Sequence, residues 1–405
     1  MPETHNQILI DKDLRPAYYD DFHCLMSACQ LNCCQGGWHI GFNKKDYETI
    51  KRQKGSPELN ERLEHCVHRV RKGSFAGRDY GEFVLQDGAC PLWKDGICSL
   101  QREKGEEVLP EVCRVFPRRE DYMLSGYFER TLGAGCEGVL ALLWELPDGV
   151  DFVSDPLPKE QHRVWKNREG FPMLPFFQDI RSVCIDILQN RRFALPERIF
   201  VMGMALRELA EGETDIPRWL ARTAALADGL EPEQFLRHDR TALAKFLANN
   251  ANILYLLTHS KKRELQGLPE ALGFERDPES GRITLEGSRY LKARDRFDET
   301  LGKQAWFWEN LMVTLFFNWR MPDCNSPERL WHSYVNFCNM YSIYRFLSVM
   351  SCREESSGNR DELFRLLVIV SRALLHSSGA MDLLSDQLFQ HESATLAHMA
   401  ILLSG

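Results

Sequence analysis

Apolar residues recur every three or four positions over most of the chain beyond residue 158, a spacing typical of helices with one buried face. Ser326 and Pro327 precede one such stretch, as an N-cap followed by proline at the first helical position would. The three clearest stripes are Leu243, Phe246, Leu247, Leu254 and Leu257; Leu330, Tyr334, Phe337, Cys338, Tyr341 and Tyr344; and Leu363, Leu366, Leu367, Val370 and Leu374. The pattern predicts an all-helical part over residues 158–405, with one turn at Asp277–Gly281 whose flanks could pair as a hairpin.

The first 150 residues lack this periodicity and are rich in cysteine, glycine and turn signals. Asp87–Gly88 and Asp95–Gly96 are typical of tight hairpin turns. Residues 146–158 are rich in proline and glycine, which is typical of a linker. We therefore predict a mainly α protein. A cysteine-rich metal-binding part with short hairpins would occupy residues 1–150, followed by a helical domain over residues 158–405.

Composition narrows the functional classes. The chain has 405 residues, of which 44% are hydrophobic and 27% charged, as in folded globular proteins. Its net charge of −8 disfavours non-specific nucleic-acid binding, which needs a basic surface. No apolar run reaches the roughly 18 residues of a membrane-spanning helix, and no export signal precedes the fold. We expect a cytoplasmic protein that binds neither nucleic acid nor membrane, while its oligomeric state stays open.

The cysteines are concentrated near the N-terminus. Nine of the 13 lie within the first 136 residues, and such clustering without an export signal indicates metal chemistry more than disulfides. The remaining four lie in helix-like apolar segments and are expected to be small buried hydrophobes. These four are Cys184, Cys324, Cys338 and Cys352.

Eight cysteines form the candidate metal site. Thiolates suit zinc and iron–sulfur clusters, and four of them complete either kind of site. Eight exceed the need of one site, so some are structural or a second site exists. The candidate ligands are Cys24, Cys29, Cys33, Cys34, Cys90, Cys98, Cys113 and Cys136. Cys66, flanked by His65 and His68, is a weaker candidate. A turn at Asp95–Gly96 would place Cys98 opposite Trp93, with Cys90 on the other face of an ideal strand. If both cysteines bind one metal, the hydrogen-bond ladder of that strand must be interrupted, and Pro91 is a plausible place because it has no N–H to donate.

Three segments carry a resemblance to a known family. Cys24 to Trp38, Cys90-Pro91-Leu92 to Cys98, and Cys113-Arg114-Val115-Phe116-Pro117 resemble the flagellin lysine N-methylases, the FliB family. The cysteine part alone is also similar to small zinc- or iron-chelating domains. The resemblance implies a bacterial cytoplasmic enzyme that methylates surface lysines of flagellin. It further implies S-adenosylmethionine as methyl donor and a cysteine-bound [4Fe–4S] cluster.

The residues leave the mechanism open. The cysteine spacing differs from the Cys-x3-Cys-x2-Cys of radical enzymes, so a polar and a radical route both remain. The glycines of residues 133–138 lack a preceding apolar strand run, so we expect a loop and no nucleotide-binding unit there. Arg114 is a candidate for the carboxylate of S-adenosylmethionine or for the cluster charge, with a plain surface arginine as the alternative.

A lysine that accepts a methyl group must first lose a proton, which aromatic surroundings and a carboxylate would favour. The chain offers suitable residue types near the cysteines, although no catalytic residue is assigned. They are Trp38, Tyr47, Trp93, Tyr122, Tyr127, Glu129 and Glu137. The alternative function is a non-enzymatic zinc or iron protein in which the helical part is an interaction scaffold.

Overall fold

The computed structural model describes residues 7–73, 75–122, 126–166, 173–226, 236, 239–259, 265–279, 281–376 and 380–405. Helices dominate from residue 177 onward, and shorter helices are interleaved with strands before it. The helices are α1 (Lys44–Lys51), α2 (Pro57–Cys66), α3 (Ser99–Lys104), α4 (Glu111–Val115), α5 (Glu137–Trp144), α6 (Phe177–Leu188), α7 (Leu195–Ala210), α8 (Ile216–Leu226), α9 (Arg240–His259), α10 (Leu268–Ala271), α11 (Gly287–Glu299), α12 (Ala305–Asn318), α13 (Pro327–Met350), α14 (Arg360–His376), α15 (Ala380–Gln390) and α16 (Leu396–Leu403).

The strands are short and belong to several small sheets. They are β1 (Gln7–Ile10), β2 (Asp13–Pro16), β3 (Ile40–Phe42), β4 (Val67–Arg69), β5 (Gly81–Phe83), β6 (Trp93–Lys94), β7 (Ile97–Cys98), β8 (Arg118–Tyr122), β9 (Phe128–Leu132), β10 (Phe152–Val153), β11 (Arg163–Lys166), β12 (Glu275–Arg276) and β13 (Ile283–Thr284). A four-stranded sheet has the order β10-β2-β9-β8, with β2 and β9 parallel, and a three-stranded sheet has the order β3-β5-β4. The pairs β1–β11, β6–β7 and β12–β13 are antiparallel.

Helix α13 forms the centre of the helical part. It is buried along most of its length and packs against α7, α11, α14, α15 and α16. Ser326 caps it by accepting a hydrogen bond from the backbone N–H of Arg329, and Pro327 occupies the first turn. The predicted start of this helix is confirmed. Gly203 of α7 lies where α7 crosses α13, and a Cβ there would stand 2.1 Å from the ring of Tyr334.

The apolar interior consists of two separate clusters. The larger one, which we call the main core, contains the helical part together with residues from the N-terminal half, including Phe22, Leu132 and Val139. The smaller one, the second core, is built from residues 40–109 around the β3-β5-β4 sheet, α1 and α2. The N-terminal half therefore contributes to both cores.

The predicted fold class is confirmed as mainly helical with a helical C-terminal part and short strands before it. The term all-helical was too strict, because β11 and the β12–β13 hairpin lie beyond residue 158. That hairpin flanks the turn predicted at Asp277–Gly281, of which Ser280 lies outside the described residues. The proline-rich segment 146–158 contains β10, which pairs with β2. The division into domains 1–150 and 158–405 stays a prediction. Within the described residues, no helix is long and apolar enough to cross a membrane.

Candidate functional site

A cavity of about 470 Å³ lies where the two cores meet. Cys136 on one side packs against the main core, whereas Cys34, Cys98 and Cys113 pack against the second core. All eight cysteines predicted as metal ligands line this cavity, and so does Arg114, which is exposed. The structure thus brings together residues that are up to 112 positions apart, from Cys24 to Cys136.

Local turn chemistry positions the cysteines of the second core. Asp95 and Gly96 both adopt left-handed backbone conformations, with φ of 53° and 82°, and join β6 to β7. The register pairs Trp93 with Cys98, as the sequence predicted. Cys90 precedes β6, so its side chain is free of the strand alternation and reaches the same cavity. Its backbone N–H donates to the Cys34 carbonyl at 2.7 Å, which joins two cysteine segments.

The expectation for the glycine run at residues 133–138 was partly wrong. Residues 133–136 form a loop, but strand β9 precedes it and helix α5 follows it, and both Cys136 and Gly138 line the cavity. The strand escaped the sequence analysis because it carries Glu129, whose charge interrupts the apolar run. In the fold this carboxylate is buried and accepts hydrogen bonds from Arg181, one of them at 3.1 Å.

Two charged side chains of the main core hold the loop that carries Cys29, Cys33 and Cys34. The Glu137 carboxylate accepts hydrogen bonds from the backbone N–H groups of Gln30 and Leu31, at 2.9 and 3.0 Å, and from the Cys29 thiol at 3.5 Å. Arg372 of α14 donates to the carbonyls of Leu31 and Gly135, the latter at 2.9 Å. Its guanidinium lies 4.8 Å from the centre of the Trp38 ring. The C-terminal helices therefore reach directly into the cavity.

Burial controls the acidity of most thiols here. Desolvation raises the pKa of Cys90 to about 12 and that of Cys136 to about 11. Desolvation and the Glu137 carboxylate raise the pKa of Cys29 to about 12. Cys33 differs, because a hydrogen bond from Cys34 and the charge of Arg372 lower its pKa below the ordinary value despite burial. Cys33 is thus the thiol of this group best prepared to exist as a thiolate.

The side chains as they stand do not form a closed ligand set. Among the described residues, no group of three or more His, Cys, Asp or Glu side chains has the geometry to hold a metal ion. The donors nevertheless fit a thiolate-bound metal in type, because eight soft ligands line one cavity beside a buried arginine. The choice of four ligands among the eight stays a prediction.

The other candidates are divided by the fold. Trp38 and Trp93 line the cavity, whereas Tyr47, Tyr122 and Tyr127 are not among its lining residues. Glu129 is committed to Arg181, and Glu137 supports the cysteine loop. Cys66 is fully buried in the second core and does not line the cavity. The four later cysteines are buried in the helical part, as predicted.

The sequence analysis missed two contributors to the site. In the sequence, Arg372 is a charged residue within an apolar helical stripe. A charge at such a position was the available signal for a role in the site. His39 also lines the cavity, with its ring nitrogens 2.9 Å from Asp79 and 3.2 Å from Glu82. Nothing in the local sequence brings His39 to the two carboxylates, since His39 precedes β3 whereas Asp79 and Glu82 lie next to and on β5.

Comparison with known proteins gives one match. The family model of the FliB lysine N-methylase C-terminal domain matches residues 181–402, which is more than half of the chain. No curated protein and no solved structure was found to match. The family resemblance is confirmed, although the match itself covers the helical part, including Arg372, and leaves out the cysteine-rich part. The chain belongs to the FliB lysine N-methylase family and is a protein-lysine N-methyltransferase that acts on a protein substrate.

Proposed function

We propose that this enzyme methylates surface lysines of flagellin at the cysteine-lined cavity, with S-adenosylmethionine as donor and a cysteine-bound [4Fe–4S] cluster. One observation carries the proposal. The eight clustered cysteines share a cavity with Arg372, a residue of the part that matches the lysine N-methylase family. A residue of the family-matched part and the cysteines of the N-terminal half therefore line the same cavity, which supports the proposal.

By the polar route the methyl transfer balances without a further co-reactant. The lysine ammonium and S-adenosylmethionine give methyl-lysine ammonium, S-adenosylhomocysteine and one proton, as an N–C bond forms and the S–C bond of the donor breaks. At pH 7 deprotonation of a lysine with pKa ~10.4 costs about 4.6 kcal/mol. Trp38 and Trp93 line the cavity, and apolar aromatic surroundings lower that cost by disfavouring the charged amine.

The ligands of the cluster would be four of the eight cavity cysteines, and the cluster supplies one-electron chemistry when bound. A cluster held by thiolates carries net negative charge, which a buried cation stabilises. Arg372 provides that cation on the side of Cys33. Arg114 lines the cavity with an exposed side chain, which supports a role in binding the carboxylate of the donor or the cluster charge.

The experiment begins with anaerobic purification and with iron, sulfide and zinc analysis of the full chain. Methyl transfer from labelled S-adenosylmethionine to purified flagellin is measured on the same material. Each of the eight cysteines is then changed singly to alanine. Cys66→Ala is the matched control, because Cys66 is buried in the second core but lies outside the cavity.

Variants at true ligands should lose iron and activity together, while Cys66→Ala keeps both. Full iron content in all eight single variants would show that the ligand assignment is wrong. A colourless protein that contains zinc and methylates flagellin would refute the cluster but keep the activity. A chain with its cluster that leaves flagellin unmodified would refute flagellin as the substrate.

A further inference from the structure

We propose that exposed apolar side chains at the mouth of the cavity form the surface on which flagellin docks beside the acceptor lysine. This inference rests on the proposed function and deepens it by assigning the substrate contact. The surface, which we call the rim, consists of Leu25, Met26, Val112 and Val115. The first two come from the loop between Cys24 and Cys29, and the last two from α4, which also carries Cys113.

The rim is unusual in its exposure. Eleven large apolar side chains of the described residues are markedly exposed, and three of them, Leu25, Met26 and Val112, also line the cavity. Val115 lies one helical turn after Val112, on the same side of α4, and is 42% exposed. Exposed apolar side chains grouped around one site mark a place where another surface binds.

The backbone holds Met26 outward against its own preference. Met26 has φ of 51°, a left-handed conformation that disfavours every side chain with a Cβ. The Ala28 N–H donates to the Leu25 carbonyl at 3.0 Å, and the Cys29 N–H donates to the Met26 carbonyl at 3.2 Å. These bonds close the turn and present an apolar side chain, 43% exposed, to solvent. Exposure and strain at one residue of a site are typical of a functional contact.

Charge beside the rim identifies the kind of partner. Glu106 lines the cavity, and Glu107 and Glu111 are exposed on the same connection and on α4, so these three carboxylates outnumber Arg114, the exposed cation of α4. Glu111 and Val115 are four positions apart, so they share a helix face. Carboxylates next to apolar side chains complement a surface on which a lysine stands beside apolar residues. A protein that presents its lysine for methylation has this chemistry, whereas a second copy of this chain would bring a further net charge of −8 to these carboxylates.

The test uses the full chain with its metal and measures KM for monomeric flagellin, KM for S-adenosylmethionine, iron content and Tm. The central variant is Met26→Gly, because glycine adopts the left-handed conformation without strain while the apolar side chain is lost. Val115→Ser is the second variant, in the part of the rim that α4 contributes. Val164→Ser is the matched control, since Val164 is 58% exposed and remote from the cavity lining.

Met26→Gly should keep or raise Tm, keep iron and raise the KM for flagellin by about 10-fold, as truncation of a central interface residue does. Val115→Ser should raise the same KM, and Val164→Ser should leave it unchanged. If Met26→Gly loses iron, the KM of Val115→Ser for flagellin tests the inference alone. A raised KM for S-adenosylmethionine with an unchanged KM for flagellin overturns the inference, because the rim then belongs to the donor site. Rim variants that leave every KM unchanged also overturn the inference. A wild-type chain that does not methylate flagellin overturns the proposed function instead, and this inference with it.

Discussion

Substitution of Arg372 should show most clearly whether an arginine beside the cavity supports the structure or is peripheral to it. It lies in the middle of α14, and its side chain is 3% exposed. It connects this helix to the loop of Cys33 and to the loop of Cys136 through two carbonyl oxygens. We therefore expect Arg372→Ala to lower the free energy of unfolding and to reduce the metal content of the purified protein.

The magnitude follows from the contacts. Hydrogen bonds from a charged donor contribute ~1.5–3 kcal/mol each, and a desolvated cation over an aromatic ring about 2 kcal/mol. These contributions are not additive, and the two buried carbonyls would lose a donor. We expect a loss of roughly 3–5 kcal/mol, the range for breaking a buried charged contact. Arg372→Lys keeps the charge but cannot span both carbonyls as a guanidinium does, so its loss should be intermediate.

The assay is denaturant unfolding with iron content measured on the same samples. Arg365→Ala is the matched control, because Arg365 is on the same helix but its side chain is 38% exposed and paired with Glu362 at 2.7 Å. Its loss should stay within about 1 kcal/mol. Equal destabilisation by Arg372→Ala and Arg365→Ala would refute the reasoning. Unchanged iron content in a destabilised Arg372→Ala protein would show that Arg372 supports the fold and not the cysteine loop.

Three further predictions test the packing and the electrostatics. Gly203→Ala should cost ~3 kcal/mol or more, because its Cβ would meet the Tyr334 ring at 2.1 Å, whereas Gly287→Ala, at 3.5 Å from Leu243, should be close to neutral in thermal unfolding. Cys338→Ala should keep the metal and cost about 1–2 kcal/mol of packing; loss of the metal spectrum in a folded variant would contradict it. Burial alone would raise the pKa of Glu362, but hydrogen bonds from Arg365 and Arg353 outweigh burial and hold the pKa below its ordinary value. The stability that Glu362 contributes is therefore present above pH ~4.3 and is lost as the pH falls through the lowered pKa. The difference in unfolding free energy between the wild-type protein and Glu362→Gln should accordingly shrink between about pH 5 and pH 3. Denaturant midpoints of both proteins measure it.

Local chemistry explains what the sequence predicted well. The Asp95–Gly96 turn depends on two adjacent residues that tolerate positive φ, and the start of α13 depends on Ser326 and Pro327. Each signal lies within a few residues of the structure it determines. The cysteine set differs, because Cys24 and Cys136 are far apart in the chain; all eight candidate ligands line one cavity, and which of them hold a metal stays a prediction.

Long-range compensation explains what the sequence could not show. Strand β9 contains Glu129, and only Arg181, 52 positions later, makes a buried carboxylate there acceptable. Strand β1 pairs with β11, from which it is separated by most of the N-terminal half. Arg372 similarly looks like an interruption of an apolar stripe until its partners Leu31 and Gly135 are known. In each case a charge or a strand has its partner far away in the chain.

The shared construction of the cavity explains how a family match to the helical part bears on chemistry outside it. Phe22 and Val139 of the N-terminal half belong to the main core, so the cysteine loops next to them are anchored on the helices. Glu137 begins α5, which packs against α12 and α14, and its carboxylate accepts a hydrogen bond from the Leu31 N–H, while Arg372 donates one to the Leu31 carbonyl. Since the loop's N–H groups and its carbonyl are both held by the main core, the helices set where Cys29, Cys33 and Cys34 stand.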